Sequence, residues 1–146
     1  NLRDLLESCL FLLELEAGAK NVTIERQYSN SHLLANIERT HVEQALLNVL
    51  GNAIEHAPPD SKVLVTLKHR ENSAFIRVHD CGGGIDAKVQ QRIFHPFYST
   101  KANHMGMGLP LARKWLQRQN GNIILVESNE KGTAFEIQLP LIEEGS

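Results

Sequence analysis

Two asparagines four residues apart are the first side chains in this sequence that could bind a ligand. Asn48 and Asn52 lie one turn apart in a segment with helical hydrophobic spacing, so both project from one face of the predicted helix. Glu55 and His56 follow one turn later on that face. An amide oxygen suits Mg²⁺, which keeps several waters and needs few protein oxygens when it also binds phosphates. A solvated face of an amphipathic helix would show the same pattern.

A carboxylate followed by glycines is the second candidate. Asp80 ends an apolar segment and precedes Cys81 and three consecutive glycines, residues 82–84. A carboxylate at a strand end can accept a hydrogen bond from an exocyclic amine, and glycines let a flat ring approach the backbone closely. The alternative is an ordinary Asp-x-Gly turn that closes a hairpin, although one glycine would normally suffice there.

A second glycine-containing segment precedes a predicted helix. Its residues Gly106, Met107, Gly108 and Leu109 could leave amide N–H groups free to hold phosphate oxygens at the positive end of the helix dipole. Lys101, in the same segment, could add a point charge for a terminal phosphate. A flexible loop with a capping glycine is the alternative. Neither the P-loop nor the dinucleotide-binding glycine pattern is present.

Three helices are predicted to position these residues. Helical spacing predicts a first helix that ends at Gly18 and a third over residues 110–120. For the second helix we expect Thr40 as the N-cap, with Glu43 as its capping-box partner, and Pro58 just beyond the end.

Alternating apolar residues predict strands between and after these helices. The strands expected are residues 22–27, 33–37, 62–69, 74–80, 123–127 and 133–139. Residues 86–92 predict a short helix, and residues 93–107 an irregular segment of a length that usually serves a function. Because the strands come in pairs between helices, the pattern favours an α+β fold: a two-layer sandwich of a mixed, mainly antiparallel sheet packed against helices.

Size and charge exclude several classes of protein. The 146 residues predict one domain, and a net charge of -2 gives no bulk reason to bind nucleic acid or an acidic membrane surface. The leading apolar stretch is interrupted by glutamates and is too short to span a membrane. Cys9 and Cys81 are too few for a disulfide framework, so we expect a cytoplasmic compartment. Cys81 is expected to be a small apolar filler, with redox control as the alternative.

The candidate residues occur in an order that resembles a known family. Asn48 and Asn52, then Asp80-x-Gly-x-Gly, residues 94–101 (FHPFYSTK), Gly106-x-Gly-Leu and Gly132-Thr resemble the N, G1, F and G2 boxes of sensor histidine kinases. These kinases share an ATPase superfamily with gyrase, heat-shock chaperones and MutL. The resemblance covers essentially the whole chain, and residues 94–101 resemble the nitrogen-regulation or oxygen-sensing branch. It implies a Bergerat-type fold that binds ATP and Mg²⁺.

The resemblance also implies individual roles. Asn52 would coordinate Mg²⁺, and Asn48 would contact the metal, its water or the phosphates. Asp80 would accept from the adenine amine, and Thr133 would reach adenine through water. The other nucleotide contacts it implies are Gly82, Gly84 and Ile85 beside the base, and Lys101, Gly106, Met107, Gly108 and Leu109 in a lid over the phosphates.

Three positions depart from the family pattern. Glu55 stands where many of these kinases have a basic residue, so it would act through water or by orienting a neighbour. His56 replaces a frequent aromatic residue and could stack on the nucleotide; a solvated helix end is the alternative. Pro110 stands where many members have another glycine, which would stiffen the start of the following helix.

A phosphate acceptor is missing from the sequence. None of the seven histidines lies in the His-Glu/Asp-x-x-Arg setting of the family's phosphorylated helix. The resemblance therefore implies an ATP-dependent histidine kinase domain that is monomeric by itself and cannot autophosphorylate alone. A preceding dimerisation domain of a longer protein would supply the histidine, and a response-regulator aspartate would be the next acceptor. The alternatives are a related ATPase or serine kinase of the same superfamily, or a degenerate nucleotide-binding or interaction module.

Overall fold

The computed structural model describes residues 1–28, 35, 37–81, 108–129 and 132–141. These residues form three helices and five strands. In chain order the elements are α1 (Leu2–Ala19), β1 (Thr23–Tyr28), α2 (Arg39–His56), β2 (Lys62–Arg70), β3 (Ser73–Asp80), α3 (Gly108–Arg118), β4 (Asn122–Asn129) and β5 (Gly132–Pro140). The predicted helix over residues 86–92 lies outside the described residues.

The described strands form one sheet in the order β1-β2-β3-β5-β4. β1 pairs with β2 in parallel, whereas the other three pairs are antiparallel. This arrangement confirms the mixed, mainly antiparallel sheet. The long antiparallel hairpin of β2 and β3 places β3 at the centre of the sheet, with β5 on its other side.

Alternation along the strands puts one face of the sheet against the helices. Val65 of β2 pairs with Val78 of β3, which pairs with Phe135 of β5, and all three side chains are buried. α1 packs on β1, α2 on β3 and α3 on β4, and α2 also packs on both other helices. Arg77 and Glu136 pair on the opposite face, where Arg77 Nη2 lies 3.1 Å from Glu136 Oε2. The domain is therefore the expected two-layer α+β sandwich.

Two local predictions are wrong. α2 begins at Arg39 with Glu38 as its N-cap, so Thr40 does not cap it. The Glu38 amide instead donates to Gln119 Oε1 at 2.7 Å, a partner supplied by the end of α3 that no local pattern reveals. The strand expected over residues 33–37 is not supported either. Of its described residues, neither Ala35 nor Ile37 is in a strand, and the rest lie outside the description.

α1 has one apolar face in the core and a second apolar strip in solvent. Leu6 and Leu10 are fully buried, whereas Phe11 is 73% exposed, Leu12 60% and Leu15 88%. No helix in the described part of the chain is long and apolar enough to cross a membrane.

Candidate functional site

Strand register brings two of the predicted site residues together. Asp80, the last residue of β3, pairs with Val63 at the start of β2 and with Thr133 at the start of β5. Asp80 is only 2% exposed and Thr133 3%, so a carboxylate and a hydroxyl lie buried side by side at one end of the central strands. A carboxylate on a solvated turn would not be buried in this way. Its burial therefore argues against the ordinary-turn interpretation of Asp80.

Gly132 permits this pairing. Its φ of 136° is one that other residues rarely adopt, and a Cβ built on it would overlap the carbonyl oxygen of Asp80. The close approach of β5 to β3 beside the site thus depends on a missing side chain. The sequence motif includes this glycine, but its role follows only from the pairing of β5 with β3.

One face of α2 carries the other candidates. The candidates Asn48, Asn52 and Glu55 follow His41, which was not a candidate, along a single stripe of the helix, because 7, 11 and 14 residues correspond to about 2, 3 and 4 turns. His41 stacks on Trp115 of α3, with ring centroids 4.4 Å apart. The stripe therefore points toward α3 at its start. Farther along, Asn48, Asn52 and Glu55 are half-buried rather than fully solvated.

α3 covers only the first part of this stripe, because its N-terminus lies partway along it. Glu38 at the start of α2 contacts Gln119 just beyond α3, so the two packed helices run antiparallel. Asn48 follows His41 by the same number of residues as Gly108 precedes Trp115, about 10 Å along each axis. The N-terminus of α3 thus lies level with Asn48. Its first amide N–H groups, which have no partner within the helix, point along α2 toward the polar residues.

The polar end of α2 lies at the same end of the sheet as Asp80. Lys20 links α1 to this end: its Nζ donates to the carbonyl oxygens of Ile54 at 3.2 Å and Glu55 at 2.7 Å. The Asp60 amide donates to the Lys20 carbonyl, and β2, which begins at Lys62, pairs Val63 with Asp80. Sequence reasoning missed Lys20, because no motif marks a residue that acts on a helix distant in the sequence.

Several predicted site residues lie outside the described part of the chain. They are Gly82, Gly84, Ile85, Lys101, Gly106 and Met107. For His56, Gly108 and Leu109 only the backbone is described: His56 ends α2, and the other two begin α3. Among the residues described, no three His, Cys, Asp or Glu side chains form a group that could hold a metal ion.

Cys81 is not the buried apolar filler that the sequence predicts. It is exposed directly after Asp80, whereas Cys9 is buried in the core. Burial, with a smaller effect of the Glu43 charge, raises the pKa of the Cys9 thiol to about 12. We therefore expect the exposed Cys81 to be the more reactive thiol.

The described arrangement suits an elongated ligand with a polar ring at one end and anionic groups at the other. At one end of the sheet a buried carboxylate lies next to a hydroxyl. Beyond the start of α3, the side-chain amides of Asn48 and Asn52 face the first backbone N–H groups of α3, which favour negative charge.

Comparison with known proteins identifies the family. Residues 37–143 match the histidine kinase-, DNA gyrase B-, and HSP90-like ATPase family. The chain belongs to this family. The match includes every predicted site residue.

The most similar sequences include sensor kinases. Sporulation kinase A of Bacillus subtilis is 32% identical over 140 residues, which are 96% of this chain and 23% of that protein. The sensory histidine kinase/phosphatase NtrB of Vibrio alginolyticus is 30% identical over 97% of this chain and 43% of its own length. The chain thus spans less than half the length of these relatives.

Solved structures of kinase domains share the fold. The nucleotide-free catalytic domain of histidine kinase ThkA superimposes with a TM-score of 0.87 at 28% identity, over 96% of this chain and 92% of that chain. ThkA in complex with the response regulator TrrA gives a TM-score of 0.83 at 26% identity, over all of this chain and 42% of that chain.

Proposed function

We propose that this chain binds Mg-ATP between α2, the start of α3 and the end of β3, and presents the γ-phosphate for transfer to a histidine. One observation carries the proposal: the buried carboxylate of Asp80 lies at the end of the sheet toward which the α2 stripe with Asn48 and Asn52 runs. Membership of the ATPase family supports ATP as the ligand.

Asp80 would recognise the adenine ring. A carboxylate accepts but does not donate hydrogen bonds, so it selects a ring that presents an amine. Because Asp80 is 2% exposed, little water competes for that bond. Thr133, beside it in the register, would reach the ring through a water. Gly82, Gly84 and Ile85 would form the walls beside the base.

Asn52 and Asn48 would act at the phosphates. The half-buried Asn52 offers one neutral amide oxygen, which fits a metal ion that takes most of its other ligands from phosphates and water. Bound Mg²⁺ would offset phosphate charge during transfer. Asn48 lies one turn earlier, level with the start of α3, where the amides of Gly108 and Leu109 would hold phosphate oxygens.

The remaining site residues are proposed from the family resemblance. Lys101, Gly106 and Met107 would belong to the lid over the phosphates. His56 would flank the nucleotide, and Glu55 would act through water or by orienting a neighbour. Asn48, Glu55 and Lys101 are the residues proposed to assist the transfer itself, chiefly by positioning and charge compensation.

The reaction would be completed by a longer protein. The γ-phosphoryl group would pass in line to a histidine of a preceding dimerisation domain, and then to an aspartate of a response regulator. Support comes from relatives that extend well beyond the matched segment and from the ThkA complex with TrrA. We propose that the chain alone is monomeric, lies in the cytoplasm, binds no nucleic acid and cannot autophosphorylate. We also propose the nitrogen-regulation or oxygen-sensing branch, on the resemblance of residues 94–101 to the corresponding motif of that branch.

Calorimetric titration tests nucleotide binding. We expect ATP and ADP to bind in the micromolar range and to bind more tightly with Mg²⁺. Loss of a charged hydrogen bond in Asp80→Asn should weaken the binding of both nucleotides by a factor of about 10 to 100. Asp4→Asn, an exposed carboxylate in α1, is the control. Absence of binding in the wild-type chain would contradict the proposal and favour an interaction module.

A second titration series tests the metal ligand. Asn52→Ala should abolish the gain in affinity from Mg²⁺ while leaving the metal-free affinity of ADP nearly unchanged. Gln44→Ala, at an exposed position of the same helix, controls for effects on α2. An Asn52→Ala variant with the Mg²⁺ dependence of the wild type would remove Asn52 from the proposed metal site.

A further inference from the structure

Lys20 acts on a helix far away in the sequence. Its Nζ donates to the carbonyl oxygens of Glu55 at 2.7 Å and Ile54 at 3.2 Å. Both carbonyls belong to the last turn of α2, where backbone acceptors lack partners within the helix. The ammonium group also lies at the negative end of the α2 dipole. Lys20 therefore serves as a C-terminal cap for α2.

α2 has no local replacement for this cap. Its C-cap, Ala57, has an extended backbone, with φ of -66° and ψ of 132°, so no left-handed glycine motif closes the helix. The Ala57 amide satisfies only Ala53, at 2.9 Å. Without Lys20, the Ile54 and Glu55 carbonyls would lose a charged donor, and the last turn would fray more readily.

Lys20 is itself held firmly by backbone contacts. Its amide donates to the Ala17 carbonyl at 3.2 Å, and its own carbonyl accepts from the Asp60 amide at 3.3 Å. The neighbouring Asn21 side chain donates to the Asp60 carboxylate. These two contacts with Asp60 join the turn after α1 to the loop after α2. Such a rigid base lets one side chain determine where the end of α2 lies.

We propose that Lys20 is a positioning residue for the nucleotide site. It acts through the backbone carbonyls of Ile54 and Glu55 and fixes the position of the last turn of α2. This turn carries Glu55 and follows Asn52 by less than one turn. The inference rests on the proposed function. Lys20 does not touch the nucleotide. It holds the end of α2, with Asn52 and Glu55, in the position that binding requires before the nucleotide arrives.

The test compares three variants of the chain. Lys20→Met keeps the aliphatic stem but removes the charge and the donors, whereas Lys20→Arg keeps both. Lys68→Met removes an exposed lysine of β2 and serves as the matched control. For each variant we would measure the Kd for Mg-ADP by calorimetry, the urea midpoint, and amide hydrogen exchange along α2.

We expect Lys20→Met to raise the Kd by about three- to tenfold. Exchange should accelerate at the Ile54, Glu55 and His56 amides but not at the start of α2. Lys20→Arg should recover most of the affinity, and Lys68→Met should match the wild type. Recovery by arginine distinguishes positioning from packing, because the two side chains share donors but differ in shape.

Three results would overturn the inference. The first is an unchanged Kd in a folded Lys20→Met variant. The second is an equal loss of affinity in Lys20→Met and Lys20→Arg. The third is failure of both variants to fold, which would make Lys20 a purely structural residue. If the wild-type chain does not bind Mg-ADP at all, the proposed function itself fails, and the exchange data alone would report on the cap.

Discussion

Substitution of Gly132 by alanine should damage both the fold and the candidate site. Gly132 has a φ of 136°, and an added Cβ would overlap the backbone carbonyl of Asp80 in the neighbouring strand. The backbone fixes the position of the Cβ and the atoms it meets belong to the main chain of Asp80, so no side-chain rotation can relieve the clash. The start of β5 must therefore move away from β3, and the pairing of Thr133 with Asp80 must loosen.

The expected loss of stability follows from two contributions. A side chain in a glycine-only region of backbone space costs about 1–3 kcal/mol. Weakening one backbone hydrogen bond of the ladder adds about 1 kcal/mol. The sum is about 2–4 kcal/mol, which for a domain of this size lowers Tm by roughly 5–15 °C.

Urea and thermal unfolding of Gly132→Ala measure this loss, and calorimetry with Mg-ADP measures the effect on the site. The matched control is Gly18→Ala in α1, where a Cβ meets nothing within 4 Å. That variant should be more stable than the wild type by about 0.5–1 kcal/mol, since alanine is the better helix former. A Gly132→Ala chain within about 0.5 kcal/mol of the wild type would refute the argument from close approach.

Three other predictions concern burial. At pH 8 a thiol reagent should label the exposed Cys81 quickly and Cys9, whose pKa is raised to about 12, only after unfolding; equal rates would contradict this assignment. Burial also raises the pKa of Tyr28, which donates to Glu7 as well. The folded chain therefore keeps protons that the unfolded chain loses, so the free energy of unfolding should fall as pH rises above about 9, and a rise over that range in urea titrations would be inconsistent. Leu46→Ala in the core should destabilise by about 2–5 kcal/mol, whereas Leu15→Ala, at a side chain 88% exposed, should change stability by less than about 0.5 kcal/mol; calorimetric melting compares them directly.

Local patterns were sufficient for most elements. Helical spacing predicted α1 to within two residues of its observed end, and alternation predicted both strands of the β2–β3 hairpin. These predictions succeed because the apolar face of each element follows its own period, 3.6 or 2, whatever it packs against. The mixed sheet also followed from strands that come in pairs between helices.

Two of the predictions that were wrong, Thr40 as N-cap and Cys81 as a buried filler, share one physical cause. Thr40 is not the N-cap of α2: the helix already begins at Arg39, and the amide of its N-cap, Glu38, donates to Gln119 just beyond α3. Cys81 is exposed although free cysteines are usually buried, since its position just beyond β3 overrides residue type. In each case a neighbour or a location in the fold decided the outcome, and neither is visible in a window of sequence.

The candidate site likewise has some features that the sequence predicts and others that only the fold determines. Residue types and spacing identified Asn48, Asn52 and Asp80 as candidates, because chemistry and helical periodicity are local properties. Thr133 was expected only from the resemblance to the kinase motifs. Only the tertiary structure decided that Asp80 and Thr133 are buried neighbours in the strand register and that α3 begins level with Asn48. It also decided that Lys20 closes α2, at a separation of 34 residues from Ile54. Strand register and helix packing bring distant residues together, and such contacts depend on the whole chain rather than on any one segment.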